Sequence, residues 1–262
     1  MTEATERARA VWDTGDYAPF GRQLEPASVA LVAALGIGEG DSVLDVAAGH
    51  GNLALAAARR GAKVVATDFS NAMIDSGRAR TREAGLEIDW KHADAEELPF
   101  PDGGFDFVTS VFGVMFASDQ PRAAAELYRT ARPGGIVAVA ALSPDGVVGS
   151  MFAAMDSFIP AEPDEPETLL WGTEEGINTL FPEGDVSFTT RNVTFNYRSW
   201  DELRATHEAH GVWVMLKANM PPDRYAALTA AVEEVLQEHN TASNGAVSYD
   251  AAYLETLVRK PA

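Results

Sequence analysis

"LDVAAGHGNLA", Leu44 to Ala54, is the stretch on which the reading of this chain turns. Gly49 and Gly51 stand two apart, with Ala54 three further on. That fits G-x-G-x-x-G/A, the loop whose N–H groups hold a pyrophosphate at a helix N-terminus. Asp45 does not suit such a ligand. It lies four residues before the first glycine, at the end of a short apolar run. A pyrophosphate calls for N–H groups and cations, and a carboxylate there opposes it.

Outward from this loop, strand-like and helix-like segments alternate. Ser42 to Val46 reads as a buried strand after the turn residues "GEGD", and Asn52 to Arg60 as a helix stopped by Gly61. Ala62 to Asp68 is a second strand, and Ser70 caps a helix running to about Ala84. Ile88 to Lys91 and Phe105 to Phe112 are the third and fourth strands. Ser118 or Asp119 caps a helix to Thr130; "RPGG", Arg132 to Gly135, turns into a fifth strand, Ile136 to Leu142. Such alternation with short links predicts an α/β fold with a doubly wound, mostly parallel sheet, whose ligand lies beyond the C-terminal strand ends.

The pattern changes after residue 143. A short helix is expected over Val148 to Phe158, then an acidic, Pro-rich connector, "PAEPDEPE" (Pro160 to Glu167). An edge-like strand follows at Asn192 to Ser199, and Ser199 caps a helix to His210. Another helix opens at Pro221 or Pro222 and runs to about His239. The last strand, within "AVSYDAAYLETLVRK", makes seven and is placed antiparallel. The sections around 145–185 and 211–230 read as a cover over the strand ends. The whole chain, 1–262, reads as one domain: N-terminal helices and lid over 1–36, a binding core over 37–142, and the cover with the last strands over 143–262.

Composition narrows the partners. Thirty-nine Asp and Glu against twenty Lys and Arg leave a net charge of −19, which repels nucleic acid and anionic membranes. No cysteine is present, so disulfides and thiolate metal sites are excluded, and no metal is expected. The N-terminal "MTEATERARAVW" lacks the apolar core of a secretory signal, and "GIVAVAAL" (Gly135 to Leu142) is too short to span a bilayer. A cytoplasmic location is expected.

Three acids stand near strand ends: Asp45, Asp68 and Asp94. An acid about twenty residues after the glycines takes a ribose diol in nucleotide sites generally, and Asp68 is in that place. Asp94 suits a donor such as an adenine amine. Asp45 suits an ammonium or sulfonium. Adenine, ribose and a cationic amino-acid tail together make S-adenosylmethionine.

"VLDVAAGHGNLA", "VVATDFSNAMI", "HADAEELPFPDGGFDFVTSVFGVMFASD" and "ARPGG" resemble, in order and spacing, the motifs of class I S-adenosylmethionine-dependent methyltransferases. Nearest is the small bacterial branch related to ubiquinone/menaquinone-biosynthesis enzymes (methyltransferase type 11 domain). The resemblance covers about residues 12–142. It implies that Asp45, Gly49 and Gly51 line the methionine moiety and that Asp68 takes the ribose hydroxyls, with Phe69 and Met73 beside the adenosine. Asp94 and Ala95 would meet the adenine. Ser110 and Val111 would face the reacting centre, and Tyr17 would be the lid aromatic. The implied reaction is methyl transfer to a small organic acceptor by in-line displacement, driven mainly by orientation, leaving S-adenosylhomocysteine. A non-methylating use of the same cofactor, or a nicotinamide-dependent oxidoreductase, stays open as an alternative.

Each residue has a plainer reading. A single strand-end Asp is often only a helix cap, and Met73 suits a core. Phe112, Met115 and Phe116 are packing first and pocket wall second. Met151, Phe152, Met155 and Phe158 have helical spacing and form either core or acceptor wall. His50 stands where many relatives carry a small residue, and it either faces solvent or touches the carboxylate tail. His207 and His210 share one side of a helix without a carboxylate to complete a metal site. No catalytic base is assigned.

Overall fold

The computed structural model describes residues 3–159 and 167–262. The connector expected over Pro160 to Glu167 therefore lies outside the described residues, apart from Glu167.

Seven strands form one sheet: β1 (Ser42–Val46), β2 (Lys63–Asp68), β3 (Asp89–His92), β4 (Phe105–Val111), β5 (Ala131–Leu142), β6 (Asp185–Tyr197) and β7 (Val247–Arg259). Their order is β3-β2-β1-β4-β5-β7-β6. β1 pairs in parallel with both β2 and β4, so strand order reverses there and a crevice opens above the C-terminal ends. β7 alone runs the other way, inserted antiparallel between β5 and β6. β6 is the edge strand and begins at Asp185, earlier than its sequence suggests.

Helices cover both faces. They are α1 (Glu3–Trp12), α2 (Ala18–Gln23), α3 (Glu25–Leu35), α4 (Asn52–Ala58), α5 (Asn71–Glu83), α6 (Gln120–Thr130), α7 (Val147–Asp156), α8 (Glu174–Leu180), α9 (Trp200–Ala209), α10 (Gly211–Asn219) and α11 (Pro222–His239). Strand alternation divides the core. Val137 and Val139 pack with Leu127 of α6 and Ile177 of α8, whereas Ala138 faces Leu31 of α3 and Leu53 of α4. Above the later strands, α7, α10 and α11 build a third cluster around Val148, Trp213, Leu228 and Tyr253.

Local chemistry sets the helix starts. Ser70 Oγ accepts from the Met73 N–H, Asp119 from the Arg122 N–H, and Ser199 from the Glu202 N–H. Two expectations need correction. The "RPGG" turn is not a break before β5 but a loop-out within it. Ala131 pairs with Phe105 and Ile136 with Phe107, and the four residues between bulge where Pro133 has no N–H and Gly134 adopts φ +72°. Residues 211–219, read only as cover, form α10, capped by His210 Nδ1, which accepts from the Val212 N–H.

The N-terminal segment is tied to both halves. Asp13 Oδ1 accepts from Ser70 Oγ at 2.7 Å and from the Ala72 N–H at 3.3 Å, at the start of α5. The Asp16 N–H donates to the Ala209 carbonyl at 2.7 Å, and Gly15 bridges to His210. Gly211 makes the approach possible, because a Cβ there would be driven into the Val11 carbonyl oxygen. Gly211→Ala should therefore cost about 1–3 kcal/mol as overpacking and loosen the segment. Urea unfolding together with amide exchange over residues 5–17 checks this; unchanged stability and protection would refute the contact.

Candidate active site

After β1 the chain turns tightly. Ala47 and Gly49 take positive φ (51° and 55°), and Gly51, at φ 88°, caps α4. The cleft above this loop is bordered by Tyr17, Asp45, Gly49, Asp68, Phe69, Met73, Asp94, Ala95 and Val111, nine of the residues singled out from the sequence. Two others are elsewhere. Gly51 faces the Trp90 ring, where a Cβ would lie 2.8 Å from a ring carbon, so its role is packing. Ser110 is fully buried, and its Oγ accepts from the Val114 N–H at 3.1 Å, which fixes the turn after β4.

The acids do more than cap. Asp45 Oδ2 accepts from the Ala54 N–H at 3.0 Å and Oδ1 from Thr109 Oγ1 at 3.2 Å. Burial, reinforced by the nearby Asp68 charge, pushes its carboxyl up to about 7. Asp68 Oδ2 accepts from the Gly49 N–H at 2.8 Å and Oδ1 from the Ser70 N–H at 2.9 Å, and burial raises it to about 6. The acid that occupies the glycine-loop amide is therefore Asp68, and Asp45 stands behind it on α4. Asp94 Oδ1 accepts from the Glu96 N–H. Glu96, unforeseen in the sequence, is itself buried at the cleft and holds the Asp119 N–H through Oε1. Four carboxyl groups and no Lys or Arg occur among the described lining residues.

Tyr17 lies over the loop. Its ring centroid is 5.4 Å from both His50 and His210 and 5.7 Å from Trp12. Burial, and secondarily Asp68, raises its phenol, which stays protonated and can only donate or stack. His50 does not face solvent: it is 2% exposed, at the cleft wall. Burial and the nearby Arg80 hold its imidazole down at about 4, hence neutral. Nothing within four residues of His50 signals that burial; it comes from Tyr17 and Gly21 packing on the ring.

His207 and His210 are also buried, away from the cleft lining. His207 stacks on Trp213 at 5.5 Å and 7°. Among the described residues no cluster of His, Cys, Asp and Glu could hold a metal ion, and no helix is long and apolar enough to cross a membrane.

The donor set fits an adenosyl sulfonium better than a dinucleotide. A pyrophosphate would meet Asp68 where it needs the Gly49 amide, and no cation offsets the four acids. A ligand with ribose hydroxyls and positive charge meets acceptors.

Known proteins agree. A family model described as "Methyltransferase domain" matches residues 43–135. An uncharacterized protein of Mycobacterium tuberculosis is 40% identical over 202 residues, 76% of this chain and 74% of its own length. A demethylmenaquinone methyltransferase of Thermus thermophilus is 44% identical over 104 residues, 39% of this chain and 47% of its own. The YcgJ protein of Bacillus subtilis shares the fold at a TM-score of 0.60, with 18% identity over 90% of this chain and 99% of that one. The chain belongs to the class I S-adenosylmethionine-dependent methyltransferases. It is an enzyme of that class, and S-adenosylmethionine is its cofactor.

Both raised carboxyls should make binding proton-linked. Each must be ionised to face a cationic, hydroxyl-bearing ligand, so affinity is complete above about pH 7 and falls as the pH drops through about 7 and then about 6. Titration calorimetry in buffers of different ionisation heat should show proton release on binding near pH 6 to 7. An affinity that does not change across that window would contradict it.

Proposed function

We propose that this methyltransferase acts on a small, largely apolar acceptor seated beyond β4, by in-line displacement in which orientation supplies most of the acceleration. The observation that carries this is the division of the cleft. Its acids gather at the ends of β1, β2 and β3, while Trp12, Val111, Phe112 and Phe116 wall the β4 end.

In this reading Asp68 holds the ribose hydroxyls, Asp94 and Ala95 meet the adenine, and Phe69 and Met73 flank the nucleoside. The cofactor supplies a methyl carbon already activated by its sulfonium. The chain aligns the acceptor with that carbon and excludes water, which can lower a bimolecular barrier by roughly 7–11 kcal/mol. Residues 1–36 act as lid through Trp12 and Tyr17, residues 37–142 bind the cofactor, and residues 143–262 shape the acceptor side. His210 is no base here: its Nδ1 already accepts the Val212 N–H, which leaves Nε2 carrying the proton. The Tyr17 phenol is too weak an acid to ionise. The acceptor brings its own nucleophilic atom.

Purified protein should bind S-adenosylmethionine, and Asp68→Ala should abolish that binding in calorimetry. Wild-type affinity in the variant would remove Asp68 from the site. Screening small aromatic and amine acceptors should give S-adenosylhomocysteine in step with methylated product. Turnover without it would mean a different reaction.

A further inference from the structure

The amino-acid end of the cleft holds two buried polar groups with nothing to bond. His50 is 2% and Ser28 1% exposed, and both border the cleft. Neither ring nitrogen of His50 nor Ser28 Oγ has a hydrogen-bond partner, and no other described lining residue has a buried side-chain polar atom in that state. Buried polar atoms are nearly always bonded, so a pair of orphans on one cavity wall points to a missing partner.

Their placement is built. Gly21, Leu24 and Ser28 follow one another at helical spacing along α2 and α3. Gly21 abuts the His50 ring, where a Cβ would come 2.5 Å from Nε2. Arg80 fixes the loop from outside: its Nη1 donates to the His50 carbonyl at 3.0 Å and to Asn52 Oδ1 at 2.8 Å. The ring is thus wedged between Gly21 and Tyr17 with its backbone held. Asn52, beside it, is committed, with Nδ2 donating to the Gly21 carbonyl.

We propose that His50 and Ser28 form the carboxylate subsite of the cofactor cleft, one imidazole N–H and one hydroxyl donating to the terminal carboxylate of the cofactor's amino-acid tail. This rests on the proposed placement of S-adenosylmethionine in the cleft. The charge distribution requires such a place. Asp45, Asp68, Asp94 and Glu96 repel a carboxylate, the Gly49 amide is taken by Asp68, and no cation lines the cleft. A neutral imidazole and a hydroxyl each offer one donor, matching two carboxylate oxygens.

The test compares two ligands on the full-length protein by calorimetry: S-adenosylhomocysteine, which has the tail, and 5′-methylthioadenosine, which lacks it. Ser28→Ala and His50→Ala should each weaken S-adenosylhomocysteine about tenfold and leave 5′-methylthioadenosine within about twofold. His50→Gln, which keeps an N–H donor, should recover part of the loss. Equal weakening of both ligands, or no change in either, overturns the subsite. Should His50→Ala fail to fold, Ser28→Ala, the loss of one oxygen, decides alone. Wild-type protein that binds neither ligand would overturn the cofactor placement itself, a result distinct from the failure of the subsite.

Discussion

The hydrogen bond from the Gly49 N–H to Asp68 Oδ2, 2.8 Å long, fixes the sign of the cleft. A glycine loop at a helix N-terminus is by default an anion site, because its amides are unpaired and the helix dipole adds positive potential. Here a carboxylate of the same chain takes that amide, and a second one, Asp45, bonds the Ala54 N–H in the first turn of α4. Both are buried, where desolvation disfavours the charged form. The empty site is thus poised to gain from a ligand that brings positive charge. The same loop sequence with an apolar residue at position 68 would present the opposite potential.

Much of this was legible. β1 to β4 are short apolar runs set between turn residues, and the caps at Ser70, Asp119 and Ser199 are side chains whose preference is local. The three strand-end acids follow from strand ends, and the topology brings them to one rim. What stayed hidden depended on distant partners. Gly51 fits the loop pattern, yet its neighbour is Trp90, thirty-nine positions on, and only the packed α/β face reveals that contact. Ser110 lies at the right strand end but bonds Val114 instead of facing the cleft. α10 begins on an imidazole cap, a signal that helix-start rules do not carry, and the "RPGG" loop-out imitates a strand boundary.

The matched family region ends at residue 135, close to the end of β5. The cofactor half is therefore the part that similarity explains, and the acceptor half must be argued from packing alone. In the cover, Met151, Phe152, Met155 and Phe158 pack against a buried cluster that includes Val148 and Leu228, so they serve the core. The apolar chamber at the β4 end comes from other residues: Phe112 and Phe116 after the strand and Trp12 from the lid.

That lid binds the two halves into one device. Asp13 holds the start of α5 in the cofactor half through Ser70, while Asp16 and Gly15 hold the α9–α10 junction in the cover. Tyr17, between these ties, touches His50 on one side and His210 on the other. Both imidazoles are neutral through burial, at about 4, so the contacts are ring packing free of any charge that would need a counter-ion. Because packed rings fit in discrete arrangements, the N-terminal segment can seat on the glycine loop in register only when the cover is in register too. The geometry of the acceptor chamber and the closure of the cofactor cleft are in this way set by the same few side chains.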